Sequence, residues 1–439
     1  MKIRHYLLAS TVLLSSSVSA ESLMTVYDQA KIADPVWLGA KAGNRAAQEA
    51  TKQSFAAFLP SASMSADTIS NFRDAKSFNA TIPDRRERFN TNSWSLDITQ
   101  PVFHMETYAA YRQAQAGVRQ SDTLLASDAQ DLILRVAQAY FDVLSAESDL
   151  IAIKAEKKAI ARQLDQAQKR FEVGLIAITD VHEAQAAYDL STANEIAAKN
   201  QLLLAAVALS EITGVQYDKL NNLSGEIKLI TPEPASIDEW VKRAIENNLS
   251  LAAAKSAVEV SQENVKIQQA GHYPTLDLFA RGGNDTSHGG NFGNDTDSEL
   301  IGLQFSLPIY TGGAVVSRTR QALAELDQTK QGLTQTKRST ERLTRDAYLG
   351  ILTEVSRIRA LRQAVVSAKS AVDATEAGFE VGTRTIIDVL DVQRVLYRNT
   401  TDLQKARYAY LLDGLTLKQA VGSLSDEDLS SVDQLLNKP

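Results

Sequence analysis

The sequence predicts a mixed, mainly α-helical protein built from two copies of one unit of helices and short strands. Three observations predict it: an internal repeat, two long proline-free runs, and four segments that alternate polar with apolar residues. The repeat has an offset of about 208 residues, so that the Phe-Glu-Val-Gly of residues 171–174 recurs at 379–382. A duplicated unit that cannot bury its own apolar faces is typical of a wall, a tube or a stack.

The helices are predicted from the proline-free runs. Residues 102–231 and 309–438 contain no proline and are rich in Ala, Leu, Gln, Glu, Lys and Arg, which favour helices. Each run contains a Val-Gly pair at which a left-handed residue can end a helix, at Gly174 and at Gly382. Each run is therefore predicted to be a helical hairpin.

The predicted helix lengths suggest how each half is arranged. The predicted helices are 22–57, 102–172 and 178–213 in the first half and 237–272, 311–378 and 386–421 in the second. In each half the two short helices together are about as long as the long one. Two short helices stacked end to end beside one long helix, roughly 100 Å in length, would satisfy both connections.

The strands are predicted between the first short helix and the long helix of each half. Residues 300–308 and 93–102 alternate apolar and polar side chains strictly, and 61–70 and 275–281 are their predicted partners. Polar connectors at 71–92 and 282–298 would join the two pairs.

Four strands in one chain leave two interpretations open. Closing a barrel takes about eight strands, and an open edge in lipid leaves backbone groups unpaired. Either several chains share one barrel in a membrane, or the strands form a small sheet packed on the helices. An export signal and an acidic composition favour the shared barrel.

That export signal is predicted at residues 1–20. Lys2 and Arg4 precede an apolar segment from Leu7 to Val18, and small residues flank a cleavage site after Ala20. The formal net charge of −7 and the absence of a basic block argue against nucleic-acid binding. The chain has no Cys, which excludes disulfides, Cys nucleophiles and thiolate metal sites.

The two tip segments carry a resemblance to a known family. Residues 170–181, Arg-Phe-Glu-Val-Gly-Leu-Ile-Ala-Ile-Thr-Asp-Val, and residues 378–391 resemble the tips of the TolC family of outer-membrane channel-tunnels. The duplicated strand and helix layout and the start at Glu21 fit that family as well. The resemblance covers nearly the whole chain after residue 20.

The resemblance implies a fold, a location and a division of the chain. Three chains would form a twelve-stranded β-barrel in the outer membrane, continuous with a long α-helical barrel in the periplasm. The first structural repeat would be 21–231 and the second 232–439. Residues 71–92 and 282–298 would be extracellular loops. Residues 214–236 and 422–439 would form a belt around the middle of the helical barrel.

Two acidic residues in the second tip suggest a cation site. Asp388 and Asp391 are three residues apart at the start of a helix, so they share a face. A threefold axis would turn them into two rings of carboxylates, which favour cations. The alternative is an acidic pair stabilised by the helix dipole, and the two interpretations are compatible.

The resemblance also implies a gate. Arg384 would pair with Asp180 and Thr179 of the neighbouring chain and hold the periplasmic mouth closed. Exposed ion pairs are weak, which suits a gate that must release. The family's lock has a tyrosine where this chain has Phe379, so its hydroxyl bond is missing. We expect fewer polar contacts in the closed state unless another residue compensates.

A docking role is implied for the same turns. By resemblance, Val173, Gly174 and Leu175 of the first tip, and Val381, Gly382 and Thr383 of the second, contact a periplasmic adaptor (membrane-fusion) protein. An inner-membrane ABC or proton-driven transporter would supply the energy and select the cargo: drugs, small toxic molecules or proteins. No cofactor is expected.

Other function classes find little support. The histidines after residue 20 are far apart, and His182-Glu183 is followed by Ala186 where a zinc-protease helix would have its second His. No nucleophile-elbow motif or phosphate-binding loop is present, so the chain is not expected to be an enzyme. The alternative to a duct is a soluble periplasmic coiled-coil scaffold or adaptor of a secretion system.

Overall fold

A computed structural model describes residues 20–76, 85–223, 225, 227–289 and 293–436. The predicted export signal lies outside them except for Ala20. The two halves have the same order of six elements, and the second half ends with one additional short helix. The first half contains α1 (Leu23–Ala33), α2 (Pro35–Ala56), β1 (Ser61–Ala75), β2 (Arg85–His104), α3 (Met105–Glu172) and α4 (Ile178–Thr213). The second half contains α5 (Ile237–Asn247), α6 (Leu249–Ala270), β3 (Thr275–Ser287), β4 (Asn294–Ser306), α7 (Ala314–Glu380), α8 (Ile386–Ala420) and α9 (Asp426–Asp433).

The first short helix of each half is broken in two, which corrects the continuous helices predicted at 22–57 and 237–272. Asp34 has ψ of 116° because it precedes Pro35, and a residue before proline is forced out of the helical region. Its carboxylate then caps α2 by accepting a hydrogen bond from the Trp37 amide at 2.9 Å. In the second half Asn248 makes the break, and its side-chain amide donates to the Ala420 carbonyl at 2.9 Å.

The strands are longer than predicted and extend into both segments assigned to polar connectors. The β1–β2 pairing continues to the residue pair Ala75 and Arg85. Polar side chains of the two strands form hydrogen bonds with each other: Thr68 donates to Asn92 at 2.7 Å, and Arg86 donates to Asp74 at 3.0 Å. The strands therefore continue through sequence that is too polar to be predicted as strand. Residues 77–84 and 290–292 lie outside the described ranges, and the extracellular placement stays a prediction.

The four strands form one antiparallel sheet in the order β1-β2-β3-β4. The register places apolar side chains on one face, and many of them are exposed: Met64, Leu96, Ile98, Leu278, Ile301, Leu303 and Phe305. The opposite face is largely polar and carries an ion pair between Asp97 and Arg281. Among the described residues, the outer edges of β1 and β4 have no strand partner.

The described residues fall into two compact units. The sheet unit contains the strands and the adjoining helical segments within 42–125 and 250–337, and it has a small core of Val258, Val265, Ala322 and Leu326. The tip unit contains the other helical segments, the segment 214–236 and both Val-Gly turns. No helix in the described ranges is long and apolar enough to cross a membrane.

The main core of the tip unit surrounds the middle of α3. Tyr140 is fully buried, and its hydroxyl donates to the carbonyls of Glu21 and Asn221 at 3.0 and 2.8 Å. Apolar residues from the two predicted belt segments join the same cluster: Leu220, Leu223, Ile227, Leu424, Leu429, Val432 and Leu436. Both segments therefore pack near the middle of α3, and a belt around a helical barrel stays a prediction.

Candidate gate and docking surface at the helix tips

Two turns of the same geometry connect the long helices to the helices that follow them. The first lies between α3 and α4, and the second between α7 and α8. Gly174 and Gly382 have φ of 76° and 79°, a left-handed conformation that favours glycine. In the first turn the amides of Gly174 and Leu175 donate to the carbonyls of Phe171 and Arg170 at 2.9 and 2.8 Å.

The second turn repeats these bonds at the equivalent positions. Gly382 and Thr383 donate to Phe379 and Gly378 at 3.2 and 2.9 Å. Both turns are Schellman motifs, in which backbone amides satisfy the last carbonyls of a helix. The role of each glycine as a helix terminator is thus evident in the backbone geometry.

The two turns are held together by a small apolar core, which we call the tip cluster. It consists of Ile160, Ala167, Ala184, Phe379, Ile386, Val389 and Leu390. Phe379 is only 6% exposed, whereas its repeat counterpart Phe171 is 41% exposed. Phe379 is therefore an internal packing residue of one chain, and Phe171 is available at the surface.

Asp388 caps the helix on which it lies. Its carboxylate accepts hydrogen bonds from the amide and the hydroxyl of Thr385, both at 2.9 Å, and the Asp388 amide donates back to the Thr385 hydroxyl at 3.3 Å. These bonds from Thr385 lower the pKa of Asp388 from its ordinary value, and the nearby charge of Arg384 contributes less. Asp388 therefore remains ionised in mildly acidic solution.

Asp391 lies one turn further along α8 and is exposed. Its carboxylate accepts a bond from Arg394 at 3.0 Å on the same helix. The structure thus places Asp388 and Asp391 together at the start of α8, as the spacing predicts. The capping interpretation of Asp388 is visible within one chain, and the ring of carboxylates around an axis stays a prediction.

Arg384 is exposed and lies beside the end of α7. A Cβ added at Gly378 would be 2.8 Å from the Cγ of Arg384, so the absence of a side chain at 378 makes room for this arginine. Within the part of the chain that the structure describes, Arg384 forms no hydrogen bond or ion pair with Thr179 or Asp180. The predicted pairing concerns a neighbouring chain and stays a prediction.

Arg170 is a tip residue to which sequence reasoning assigned no role. Its guanidinium carbon lies 4.4 Å from the centroid of the Phe379 ring, and its Nη1 donates to the Phe379 carbonyl at 3.3 Å. One signal was present in the sequence: the repeat counterpart of Arg170 is Gly378, so the two tips differ in charge at this position.

The residues predicted to contact an adaptor form an open apolar surface. Val173, Leu175 and Val381 are each more than two-thirds exposed. No atom lies within 4 Å of a Cβ built at Gly174 or Gly382, so space is open at both glycines. A partner helix could approach the backbone closely there.

No group of three or more His, Cys, Asp or Glu side chains in the described ranges could hold a metal ion. His104, at the end of β2, contacts Asp277 at 3.0 Å.

Comparison with known proteins places this architecture in a family. The model of the outer membrane efflux protein family matches residues 26–215 and 240–423. The outer membrane protein TolC of Escherichia coli is 40% identical over 438 residues, which is 97% of this chain and 87% of that protein. The alkaline protease secretion protein AprF of Pseudomonas aeruginosa is 30% identical over 429 residues, covering 97% and 89% of the two chains.

The fold also matches solved structures. The CmeC outer membrane channel of Campylobacter jejuni has a TM-score of 0.80 at 16% identity, covering 95% of this chain and 90% of that one. At that identity the likeness concerns the fold alone. It confirms the predicted mixed, mainly α-helical class.

Proposed function

The chain belongs to the outer membrane efflux protein family, and on that premise we propose that three copies of it form one gated export channel. The protein is an outer-membrane channel-tunnel of efflux and secretion that extends into the periplasm. The similar proteins are efflux channels and not enzymes. The proposal concerns the trimer, the gate and the partners.

The proposal of a trimer rests on the sheet. One chain supplies four strands, which are too few to close a barrel, and the edges of β1 and β4 are open among the described residues. The exposed apolar face would be unusual in water but suits contact with lipid. Three chains would pair each β4 with the β1 of a neighbour, and twelve strands leave no open edge.

The gate would be formed where three second tips meet. Arg384 extends from the second turn, and within the described part of its own chain it forms no hydrogen bond or ion pair with Asp180 or Thr179. A neighbouring chain's Asp180 and Thr179 would supply those partners, and Asp388 and Asp391 would form acidic rings at the same constriction. Loss of such weak, exposed pairs would open the channel.

The open apolar surface at Val173, Leu175 and Val381 would dock the helical hairpin of a periplasmic adaptor. The adaptor would connect the channel to an inner-membrane ABC or proton-driven transporter. AprF is named for protease secretion, which supports export of proteins through this channel, and the efflux family to which the chain belongs supports export of small molecules. The channel itself performs no chemistry.

Disulfide trapping tests the gate and the trimer together, because the chain has no native Cys. Asp180→Cys combined with Arg384→Cys should form covalent dimers and trimers on mild oxidation in outer membranes, as seen on non-reducing denaturing gels. Each single-Cys variant is the control and should give less of these products. A product that runs only as monomer would overturn the pairing between neighbours.

A further inference from the structure

We propose that Arg170 is a positioning residue of the gate, which locks the second tip to the first within one chain. The inference rests on the gate proposed above. It also supplies a candidate for the compensation that Phe379 requires, since a phenylalanine has no hydroxyl to hold the closed state. Arg170 holds the ring and the backbone at position 379 in place of that hydroxyl.

Two contacts converge on one residue of the opposite tip. The Arg170 guanidinium carbon lies 4.4 Å from the centroid of the Phe379 ring, within the range of a cation–π interaction. Its Nη1 also donates to the Phe379 carbonyl at 3.3 Å. That carbonyl lies in the last turn of α7, where it also accepts the bond from the Gly382 amide and where the helix dipole favours a cation.

The charge of Arg170 is directed at these two groups and not at a carboxylate. In the described ranges Arg170 forms no ion pair, whereas its neighbour Lys169 pairs with Asp165 at 2.6 Å. The Phe379 ring beneath it is buried in the tip cluster, so the contact is partly removed from water. A partly desolvated cation–π contact is stronger than an exposed one.

The duplication explains why only one tip carries the arginine. The counterpart of Arg170 is Gly378, where any side chain would collide with the Cγ of Arg384. A side chain at 378 would thus displace the predicted gate residue. Phe171, the counterpart of Phe379, is exposed, and among the described residues no cation lies over its ring.

A consequence for opening follows from the chain connectivity. Arg384, Asp388 and Asp391 all lie on the second tip, whereas Arg170 lies on the first. A movement of the second tip away from the first must break both contacts at Phe379. Arg170 therefore opposes opening inside each chain, while the Arg384 pairs oppose it between chains.

The test is single-channel recording of the trimer in planar bilayers, comparing Arg170→Gln with wild type. We expect an increase of about fivefold in open probability, which corresponds to roughly 1 kcal/mol for the cation–π contact. Arg170→Lys keeps a cation over the ring and should stay close to wild type. Lys169→Gln is the matched control, because it removes an equal charge one residue away without touching Phe379.

The Arg384→Ser variant separates this inference from the gate on which it rests. An increase in Arg384→Ser with none in Arg170→Gln would overturn the role of Arg170 and leave the gate intact. No increase in either would overturn both. Equal increases in Arg170→Gln and Lys169→Gln would indicate a general charge effect and overturn the specific contact. Each variant must first run as a heat-modifiable trimer, and Arg170→Gln should add little in a Phe379→Leu background.

Discussion

The junction between α1 and α2 contains one buried carboxylate, Asp34, and removing its partner should destabilise the protein measurably. Asp34 is only 2% exposed and accepts two bonds from Arg135, at 2.7 and 3.4 Å, besides the bond from the Trp37 amide. Burial raises the pKa of Asp34, but the bonds from Arg135 and from the backbone outweigh it and leave the pKa below its ordinary value. Arg135→Met would leave a buried charge without its cation.

Breaking a buried ion pair costs about 3–5 kcal/mol. The Arg135 side chain is 29% exposed, so solvent screening reduces the expected cost to about 2–3 kcal/mol per chain. For a chain of 439 residues this corresponds to a lowering of Tm by roughly 3 °C. Thermal unfolding in detergent, followed by circular dichroism, would measure it.

The destabilisation caused by Arg135→Met should depend on pH in a direction set by the lowered pKa of Asp34. A carboxylate with a lowered folded pKa contributes stability above its ordinary pKa, and the contribution is lost as pH falls through the folded pKa. The difference between Arg135→Met and wild type should therefore be largest near pH 7.5 and shrink in acid. Asp34→Asn with Arg135→Met should recover most of the loss, because Asn can still cap α2. Equal melting of Arg135→Met and wild type at pH 7.5 would refute the reasoning.

Three further predictions concern other sites. Burial, and then the charge of Glu354, raise the pKa of Asp413 to about 6, so stability is lost as pH rises through that value. Asp413→Asn should raise the free energy of unfolding by about 1–2 kcal/mol at pH 7.5 after screening and by clearly less at pH 4.5, and an equal effect at both would contradict this. Gly382→Ala should cost about 1 kcal/mol or more from its left-handed φ, measured by thermal unfolding, whereas no loss would contradict the turn geometry. Thr385→Ala should raise the pKa of Asp388, so that cation selectivity, measured from reversal potentials, falls at a higher pH than in wild type; identical pH profiles would count against it.

How far the sequence predicts the fold depends on whether a signal is local. The tip boundaries at Glu172, Ile178 and Thr213 match the predicted helices because glycine and the loss of apolar periodicity are local signals. The break at Asp34 was also signalled locally, by the proline that follows it. The break at Asn248 had no proline to signal it, and its side chain bonds to Ala420, far away in the chain.

The candidate site likewise combines a local feature that the sequence predicts with a long-range contact that it does not. The capping role of Asp388 follows from its distance to Thr385, three residues earlier, and could be predicted from spacing alone. The contact of Arg170 with Phe379 joins residues 209 positions apart and depends on the packing of two tips. No periodicity or motif reports such a pairing, although the repeat mismatch with Gly378 pointed to the position.

The central claim is a channel closed at its periplasmic tips, and conductance tests it most directly. Purified trimers in planar bilayers should show a small, cation-selective conductance that rises clearly in Arg384→Ser. A matched variant, Arg398→Ser, removes an arginine further along α8 that pairs with Asp402 and contacts no predicted gate residue, and it should change conductance less. Well-folded wild-type trimers that conduct no ions would contradict the channel, and a conductance unchanged in Arg384→Ser would contradict the gate.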